Sequence, residues 1–231
     1  MTLKEVRYLV SGGESHTVEF KRKATHPEKI IREMVAFANS DGGHVFIGVD
    51  DDGTIPGLKH PEDEVYVLEA ALDLYTRPKV EYSWEIVPVT EDLSVVSFFI
   101  PSSERSPHFV LEKMEKNNTS RNGQTSKAPG RIKKAFVRAE DKSVQASREM
   151  KEIIRRKRKG KSVKFHYGDK EKLLFNYLDE HGTITLAEFA EIAGISKYAA
   201  SRTLILLVLA NVLRIIPTEK GDRYGLVGVS S

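Results

Sequence analysis

The stretch ESHTVEFKRKATHPEKIIREMVAFANSDGGHVFIGVDDDGTIPG, residues 14–57, sets the architecture of the chain, because it reads as strand, helix, strand and tight turn. Residues 17–21 alternate polar and apolar side chains, which predicts a strand with one polar face. Pro27 suits the first position of a helix, apolar side chains repeat at helical spacing from residue 30 to residue 38, and the Gly-Gly pair at 42–43 ends the predicted helix. Residues 44–49 are an apolar run of the buried-strand kind, and the Asp-Asp-Asp-Gly of 50–53 predicts a short turn.

Three carboxylates lie in this stretch at places where folding could bring them together, namely Glu14, Glu19 and Asp51. Glu19 and Lys21 occupy alternate positions of the first strand, so we expect both on its polar face. The residues alone leave two readings open. The acids form a joint site, or they are solvated side chains on an exposed strand face and in an Asp-rich turn.

The composition is that of an ordinary globular protein. Among the 231 residues, 40% are hydrophobic and the mean hydropathy is −0.36, so the chain can build one large domain or two small ones. The absence of cysteine excludes disulfides and thiolate zinc sites. There is neither a secretory signal pattern nor an apolar run long enough to cross a bilayer, so we expect a cytoplasmic location and no membrane partner.

The net charge of +3 is too small to identify a partner, but the basic residues are clustered. Residues 151–164 contain eight Lys or Arg side chains and one acid. A block of this kind is either a solvated linker or a contact for nucleic acid. The candidate phosphate contacts within it are Arg155, Arg156, Lys157 and Arg158, and Arg138 in the preceding predicted strand is a further candidate.

The change of pattern along the chain predicts two domains. Residues 1–158 mix helices and strands, which indicates an α+β fold with a mixed sheet and flanking helices. Residues 159–168 are then a basic linker, and 169–231 form a second domain. In that domain three helices are followed by two strands around a polar hairpin tip, and a capping box at Thr185 and Glu188 begins the second helix. This is the plan of a winged helix-turn-helix.

The third helix of the second domain would present polar side chains outward and apolar ones to the core. A helix in this position can enter the major groove of DNA, although winged helices also bind proteins. The candidate contacts are Lys197, Tyr198, Ser201 and Arg202 on the helix, and Lys220 and Arg223 at the hairpin tip. ATP is not expected, because no Gly-Lys-Ser/Thr motif follows a strand.

Several linked motifs resemble one known family. The segment ESHTVEFK at 14–21, AFAN at 36–39 and GGHVFIGVDD at 42–51 are similar to the Schlafen-type AlbA-like domain. SPH at 106–108 and AFVR at 135–138 are similar to its closing strands. The resemblance spans residues 14–144, and bacterial members of the family are commonly labelled DNA-binding or divergent AAA domains.

The resemblance implies an enzyme activity as an alternative function. In animal Schlafens that cleave transfer RNA, two Glu and one Asp form a metal-linked site, and these positions match Glu14, Glu19 and Asp51. Three such acids would hold Mg²⁺ or Mn²⁺, which binds a phosphate oxygen and activates water. Lys21 would stabilise the negative charge that develops on the phosphorus centre.

The resemblance also has a departure. The animal enzymes use two related lobes to surround RNA, whereas this chain has one, so we expect a homodimer if a groove is needed. The sequence therefore predicts an intracellular nucleic-acid-binding protein of the transcription-regulator kind. A metal-dependent endoribonuclease is the alternative, and a protein-interaction scaffold is the third possibility.

Overall fold

The computed structural model describes residues 1–103, 107–113, 131–157, 165 and 167–228. It consists of two compact units, the first made of Met1–Ser103 and His108–Ser143 and the second continuing from Val144. The boundary predicted at residue 158 is therefore too late. The helix that ends just before residue 158 belongs to the second unit, because its Ile153 packs in the core of that unit. Arg158 and most of the predicted linker lie outside the described residues.

The first unit confirms the predicted α+β class. Its helices, in the part of the chain that the structure describes, are α1 (Leu3–Ser11), α2 (Pro27–Asn39) and α3 (Pro61–Tyr75). Its strands are β1 (Val18–Lys21), β2 (Gly42–Ile47), β3 (Thr76–Arg77), β4 (Ser83–Pro88), β5 (Ser94–Pro101), β6 (Phe109–Lys113), β7 (Arg131–Lys134), β8 (Phe136–Ala139) and β9 (Lys142–Gln145).

The main sheet has the strand order β1-β2-β5-β4. β1 runs parallel to β2, with Glu19 opposite Val45, and the other two pairings are antiparallel. A parallel pair needs a crossover connection, and α2 supplies it. There are two smaller sheets, β3-β6-β7 and β8-β9, and the division of the chain into two units falls within β9. The prediction that residues 14–57 form a strand, a helix and a second strand is thus confirmed.

Both faces of the main sheet are covered, which explains the nearly continuous apolar run of β2. Val45 and Ile47 face a core that they share with α2 and α3. Phe46 faces the opposite side, where it packs with Val6 and Val10 of α1.

The close approach of Gly43 and the hydrogen bonds of Asn39 fix the C-terminal end of α2. A side chain at Gly43 would meet the Thr17 carbonyl oxygen at 2.6 Å and the Phe37 ring at 2.7 Å, so only glycine allows this approach. The Asn39 amide nitrogen donates to the carbonyls of His108 and Phe136, both at 2.9 Å, and its oxygen accepts from the His108 N–H at 2.8 Å. Asn39 therefore ties α2 to two later segments of the chain.

The described residues of the second unit form four helices and three strands. They are α4 (Arg148–Lys157), α5 (Asp169–His181), β10 (Thr183–Thr185), α6 (Leu186–Ile192), α7 (Lys197–Leu209), β11 (Leu213–Ile216) and β12 (Arg223–Leu226). The strands form an antiparallel sheet in the order β10-β12-β11.

The helices α6 and α7 form a helix-turn-helix, since a short turn separates them and their axes differ by 113°. Thr185 and Glu188 form the predicted capping box at the start of α6. No single helix in the described ranges is long and apolar enough to cross a membrane. The bent pair α6–α7 meets that test only by length and composition, and its apolar side chains lie in the core of this unit.

Candidate functional site

A lysine bridges two of the three predicted carboxylates. Lys21 Nζ donates to Glu14 Oε1 at 3.1 Å and to Glu19 Oε1 at 2.6 Å. Glu14 Oε1 also accepts the backbone N–H of Phe20 at 3.3 Å. Folding therefore brings Glu14, Glu19 and Lys21 together, as the spacing around β1 allowed.

Glu19 does not lie on an exposed polar face, which corrects the prediction. Its position opposite Val45 places it on the side of the sheet that α2 covers, and its residue is 5% exposed. Arg138 Nη1 donates to Glu19 Oε2 at 3.0 Å and to Glu33 Oε2 at 2.6 Å. Burial of the carboxylate is tolerated because these partners satisfy it.

Arg138 is a structural residue, and the prediction that it binds phosphate is wrong. Its side chain is 0% exposed, so no external phosphate reaches it in this structure. Besides the two carboxylates it donates from Nη2 to the Ser15 carbonyl at 2.6 Å, and its guanidinium lies 4.7 Å from the centre of the Phe37 ring. Arginine favours such buried ion pairs because its planar fork makes several hydrogen bonds at once.

The cluster contains one carboxyl that titrates near neutral pH. Burial, followed by the negative charge of Glu33, raises the pKa of Glu19 to about 7, although the Lys21 hydrogen bond acts in the opposite direction. Burial also acts to raise the pKa of Glu14, but hydrogen bonds with Glu19 and Lys21 hold it below its usual value. Burial acts to lower the pKa of Lys21, and its carboxylate partners outweigh that effect and raise it.

Asp51 does not join this cluster. It lies in the turn beyond β2, with an exposed side chain. The adjacent Asp50 is the aspartate that lies near the end of β1. The Oδ1 atom of Asp50 is 3.4 Å from Nε of Arg22, the residue that follows β1. Hydrogen bonds to Thr54 hold the Asp-rich segment in a turn. The Asp52 carboxylate accepts the Thr54 N–H, the Asp50 carboxylate accepts the Thr54 hydroxyl, and the Asp50 N–H donates to the Thr54 carbonyl.

The residues do not fit the divalent cation that the resemblance implied. Among the described residues no three His, Asp or Glu side chains gather closely enough to hold a metal ion. The Lys21 ammonium already bridges Glu14 and Glu19, and Arg138 binds the second oxygen of Glu19. The three-acid metal site of Glu14, Glu19 and Asp51 is therefore not assembled, because cationic side chains take the place of the ion.

In the second unit, the start of α7 presents polar side chains to solvent as predicted. Ser196 caps the helix by accepting the Ala199 N–H at 3.2 Å. Lys197, Tyr198 and Arg202 are exposed. Ser201 differs from the prediction, because its hydroxyl donates to Glu149 of α4 at 2.6 Å.

The last turn of α4 carries the predicted basic residues on its surface. Arg155, Arg156 and Lys157 are exposed. Arg155 bonds to Glu152, and Arg156 Nε lies 2.6 Å from the same carboxylate. Exposed ion pairs of this kind contribute little, so both arginines can exchange Glu152 for another anion.

The two hairpin residues have different environments. Lys220 is exposed between β11 and β12. Arg223 is the first residue of β12 rather than part of the tip, and its Nε donates to the Thr183 hydroxyl at 2.8 Å. Arg223 therefore links two strands of the sheet, which corrects its assignment to the tip.

The acidic partners of Arg138 and Ser201 were not predicted from the sequence. Glu33 accepts a hydrogen bond from the same Arg138 guanidinium that binds Glu19, and Glu149 accepts a hydrogen bond from the Ser201 hydroxyl. Helical spacing places Glu33 one turn before Phe37 on α2, but periodicity alone does not show which distant strand faces that turn. Only the packing of β8 on α2 reveals this pairing.

A family model described as "Schlafen, AlbA_2" matches residues 14–147, which is more than half of the chain. Two solved structures are similar to parts of it. One is the N-terminal domain of a protein from Nitrosomonas europaea described as related to the ATP-dependent DNA helicase RecG. It is 18% identical with a TM-score of 0.39, over 53% of this chain and 91% of that chain.

The second is the crystal structure of the DIP2311 protein from Corynebacterium diphtheriae. It is 15% identical with a TM-score of 0.40, over 64% of this chain and 30% of that chain. Similarity at this level carries no information about a ligand or a reaction.

Proposed function

The chain belongs to the Schlafen, AlbA_2 family, and from that premise we propose that it is a nucleic-acid-binding protein whose second unit makes the main contact. One observation carries this proposal, namely that exposed basic side chains lie on two helices that pack together. Arg155, Arg156 and Lys157 are on α4, and Lys197 and Arg202 are on α7. Lysine and arginine side chains bind phosphates of any sequence.

The packing of α4 against α7 supports the proposal. Ile153 of α4 lies in the same core as Leu204 of α7, and the bond from Ser201 to Glu149 joins the two helices at the surface. The basic turn of α4 is thus part of a folded domain and not a free linker. Cations held on a rigid surface lose less conformational entropy on binding than cations on a disordered segment.

The order of elements gives the contact a more specific form. The second unit has, in this order from residue 169, a helix, a strand, a helix-turn-helix and a two-stranded hairpin, and this order supports a winged helix. In this proposal α7 is the recognition helix, so Lys197, Tyr198 and Arg202 face the bases while Lys220 of the hairpin contacts the backbone. The protein is then a DNA binder of the transcription-regulator kind.

Two further parts of the proposal concern assembly and location. Helix-turn-helix proteins commonly bind two half-sites as dimers, so we propose that two copies of this chain bind DNA together. We propose a cytoplasmic location, with which a chain free of cysteine is compatible.

The experiment is a salt series with fluorescently labelled duplex DNA and transfer RNA. Release of counterions from the phosphates makes affinity fall steeply as salt increases. Replacing Arg155, Arg156 and Lys157 together by Ala removes three phosphate contacts and should reduce the slope of log affinity against log salt by about 3. The matched control replaces three exposed lysines of the first unit, Lys23, Lys29 and Lys59, and should leave the slope unchanged.

The control also separates a surface effect from a general charge effect, because both triple variants lose three positive charges. Equal losses of slope would mean that net charge rather than the α4 surface governs binding. If neither DNA nor RNA binds at low salt, the proposal fails and the second unit is better explained as a protein-binding module.

A further inference from the structure

We propose that a cavity beside α7 holds one unpaired nucleotide, with its base against aromatic rings and its phosphate against two cations. The cavity has a volume of about 340 Å³ and lies within the second unit. Phe165, Lys170, Tyr198 and Arg202 are among the residues that line it. This inference rests on the proposed function, because it names the form of nucleic acid that the same surface takes.

The size and lining of the cavity suit a nucleotide. Pockets for small ligands span about 300–1,000 Å³ and combine apolar walls with a few polar groups. Here Leu206 and Leu207 contribute apolar surface, while Thr203 contributes a hydroxyl. The lining is therefore neither a purely apolar groove nor a purely charged surface.

Two aromatic side chains at the cavity remain accessible. Tyr198 is 69% exposed and Phe165 is 38% exposed. Exposure of two large rings has a hydrophobic cost that stacking on a planar ligand would recover. Nucleobases supply such a face, and aromatic side chains are the usual stacking surface for bases of single strands.

The charges at the cavity favour an anion. Lys170 and Arg202 are cationic, and Glu171 is the one acidic residue among the described residues of the lining. Glu171 is 4% exposed and accepts the Gly168 N–H at 3.0 Å, so its carboxylate caps the start of α5. Lys170 Nζ lies 3.6 Å from Glu171 Oε1, so Glu171 offsets part of the Lys170 charge. Within the described part of the chain no ion pair joins Arg202 to an acid, so both cations can contact a phosphate and Arg202 contributes most of the positive charge.

The ligand must be unpaired for geometric reasons. A base within a duplex is stacked on both faces, so it meets a ring in a cavity only after it leaves the stack. A single strand presents its bases without that cost. The cavity therefore predicts a preference for single-stranded or locally unpaired nucleic acid over a regular duplex.

The experiment compares one sequence as a labelled single strand and as a duplex, using the full chain and three variants. Tyr198→Ala removes the ring and should weaken single-strand binding about tenfold, since stacking of one base on an aromatic residue has that order of effect. Tyr198→Phe keeps the ring and should bind as the wild type does. Tyr8→Ala replaces an exposed tyrosine of the first unit and should change nothing.

Duplex affinity separates this inference from the proposed function. Because Tyr198 also faces the bases in the proposed duplex complex, we expect Tyr198→Ala to weaken duplex binding as well, but by a smaller factor than single-strand binding, since only the single strand places a base in the cavity. If Tyr198→Ala weakens both forms equally, or weakens neither, the cavity inference is overturned while salt-dependent binding by the wild type still supports the proposed function. If the wild type binds neither form, the proposed function itself has failed.

A second arm identifies the source of the nucleotide. Adenosine monophosphate, ribose 5-phosphate and inorganic phosphate are titrated into the protein while the NMR signals of Tyr198 and Arg202 are followed. Shifts with the mononucleotide alone, together with its displacement of the single strand, support a nucleotide site that free nucleotides also enter. Shifts of equal size with inorganic phosphate would show a phosphate contact without a base site and would overturn the inference.

Discussion

The Arg138 guanidinium binds the Glu19 carboxylate at 3.0 Å inside the first unit, where their side chains are 0% and 6% exposed. Glu33 and the Ser15 carbonyl accept further hydrogen bonds from the same guanidinium. Such a buried network adds little stability relative to an apolar core, but removing one member leaves the other charges unpaired. Arg138 is therefore the residue on which the carboxylate cluster depends.

Replacement of Arg138 by Met should lower the free energy of unfolding by about 3–5 kcal/mol, because Glu19 and Glu33 lose their buried counter-charge. Urea denaturation followed by circular dichroism measures the change. Arg155→Met is the matched control, since Arg155 is exposed, and its effect should stay within about 0.5 kcal/mol. Adding Glu19→Gln to Arg138→Met should restore part of the loss, and no loss in the single variant would contradict the network.

The elevated pKa of Glu19 predicts a pH dependence of stability. Its folded-state pKa is about 7 and its ordinary value is 4.5, so the folded protein binds more protons between these values. Stability contributed by this group is therefore present at low pH and is lost as the pH rises through about 7.

The variant Glu19→Gln isolates that contribution, because it keeps the shape of the side chain and removes the titration. Relative to the variant, the wild type should lose unfolding free energy between about pH 5 and pH 8 in urea titrations. An NMR titration of the Glu19 carboxyl should have a midpoint near 7. Parallel pH profiles for the two proteins, or a midpoint at the ordinary value, would contradict this assignment.

The arrangement of Lys21 predicts that transfer RNA is not cleaved in a manner that depends on Mg²⁺ or Mn²⁺. The Lys21 ammonium bridges Glu14 and Glu19, and Asp51 is exposed away from them. The cluster therefore contains two of the three acids that the metal site needs. The measurement is a gel assay with each metal, with and without a chelator. A chelator-sensitive product that disappears in Glu19→Gln but persists in Lys59→Ala would show that the acids rearrange around a metal when RNA binds.

The close approach at Gly43 predicts a backbone effect. Gly43→Ala places a methyl group 2.6 Å from the Thr17 carbonyl oxygen and should destabilise the protein by about 1–3 kcal/mol in urea. Gly12→Ala is the control, because Gly12 has an ordinary φ of −80° and its nearest neighbour would be 3.7 Å away. Equal stabilities for both variants would mean that β2 and α2 are less tightly packed at this point.

The sequence was most informative where structure depends on neighbours along the chain. The alternation of β1, the helical spacing of α2 and the apolar run of β2 were all legible, because each depends on local periodicity. The contact of Glu14, Glu19 and Lys21 followed from that geometry, since all three lie in or beside one strand.

The sequence was least informative where partners are distant. Arg138 at the end of a predicted strand has the pattern of a solvent-exposed cation, and its burial depends on Glu19 and Glu33, which lie more than a hundred residues away. For Asp51, the turn after β2 was predicted correctly, but the sequence does not show in which direction that turn points the side chain. The buried apolar residues of α4, such as Ile153, stand directly before a basic run that resembles a linker. The helix was therefore assigned to the first unit instead of the second.

The three hydrogen bonds of Asn39 have a consequence during translation. A nascent chain that has left the ribosome only as far as β5 already contains the whole main sheet and α2. Its Asn39 still lacks His108 and Phe136, and its Glu19 still lacks Arg138. We therefore expect the emerging domain to stay open to chaperones until β8 is synthesised, and a chain released before that strand to be a target for proteolysis.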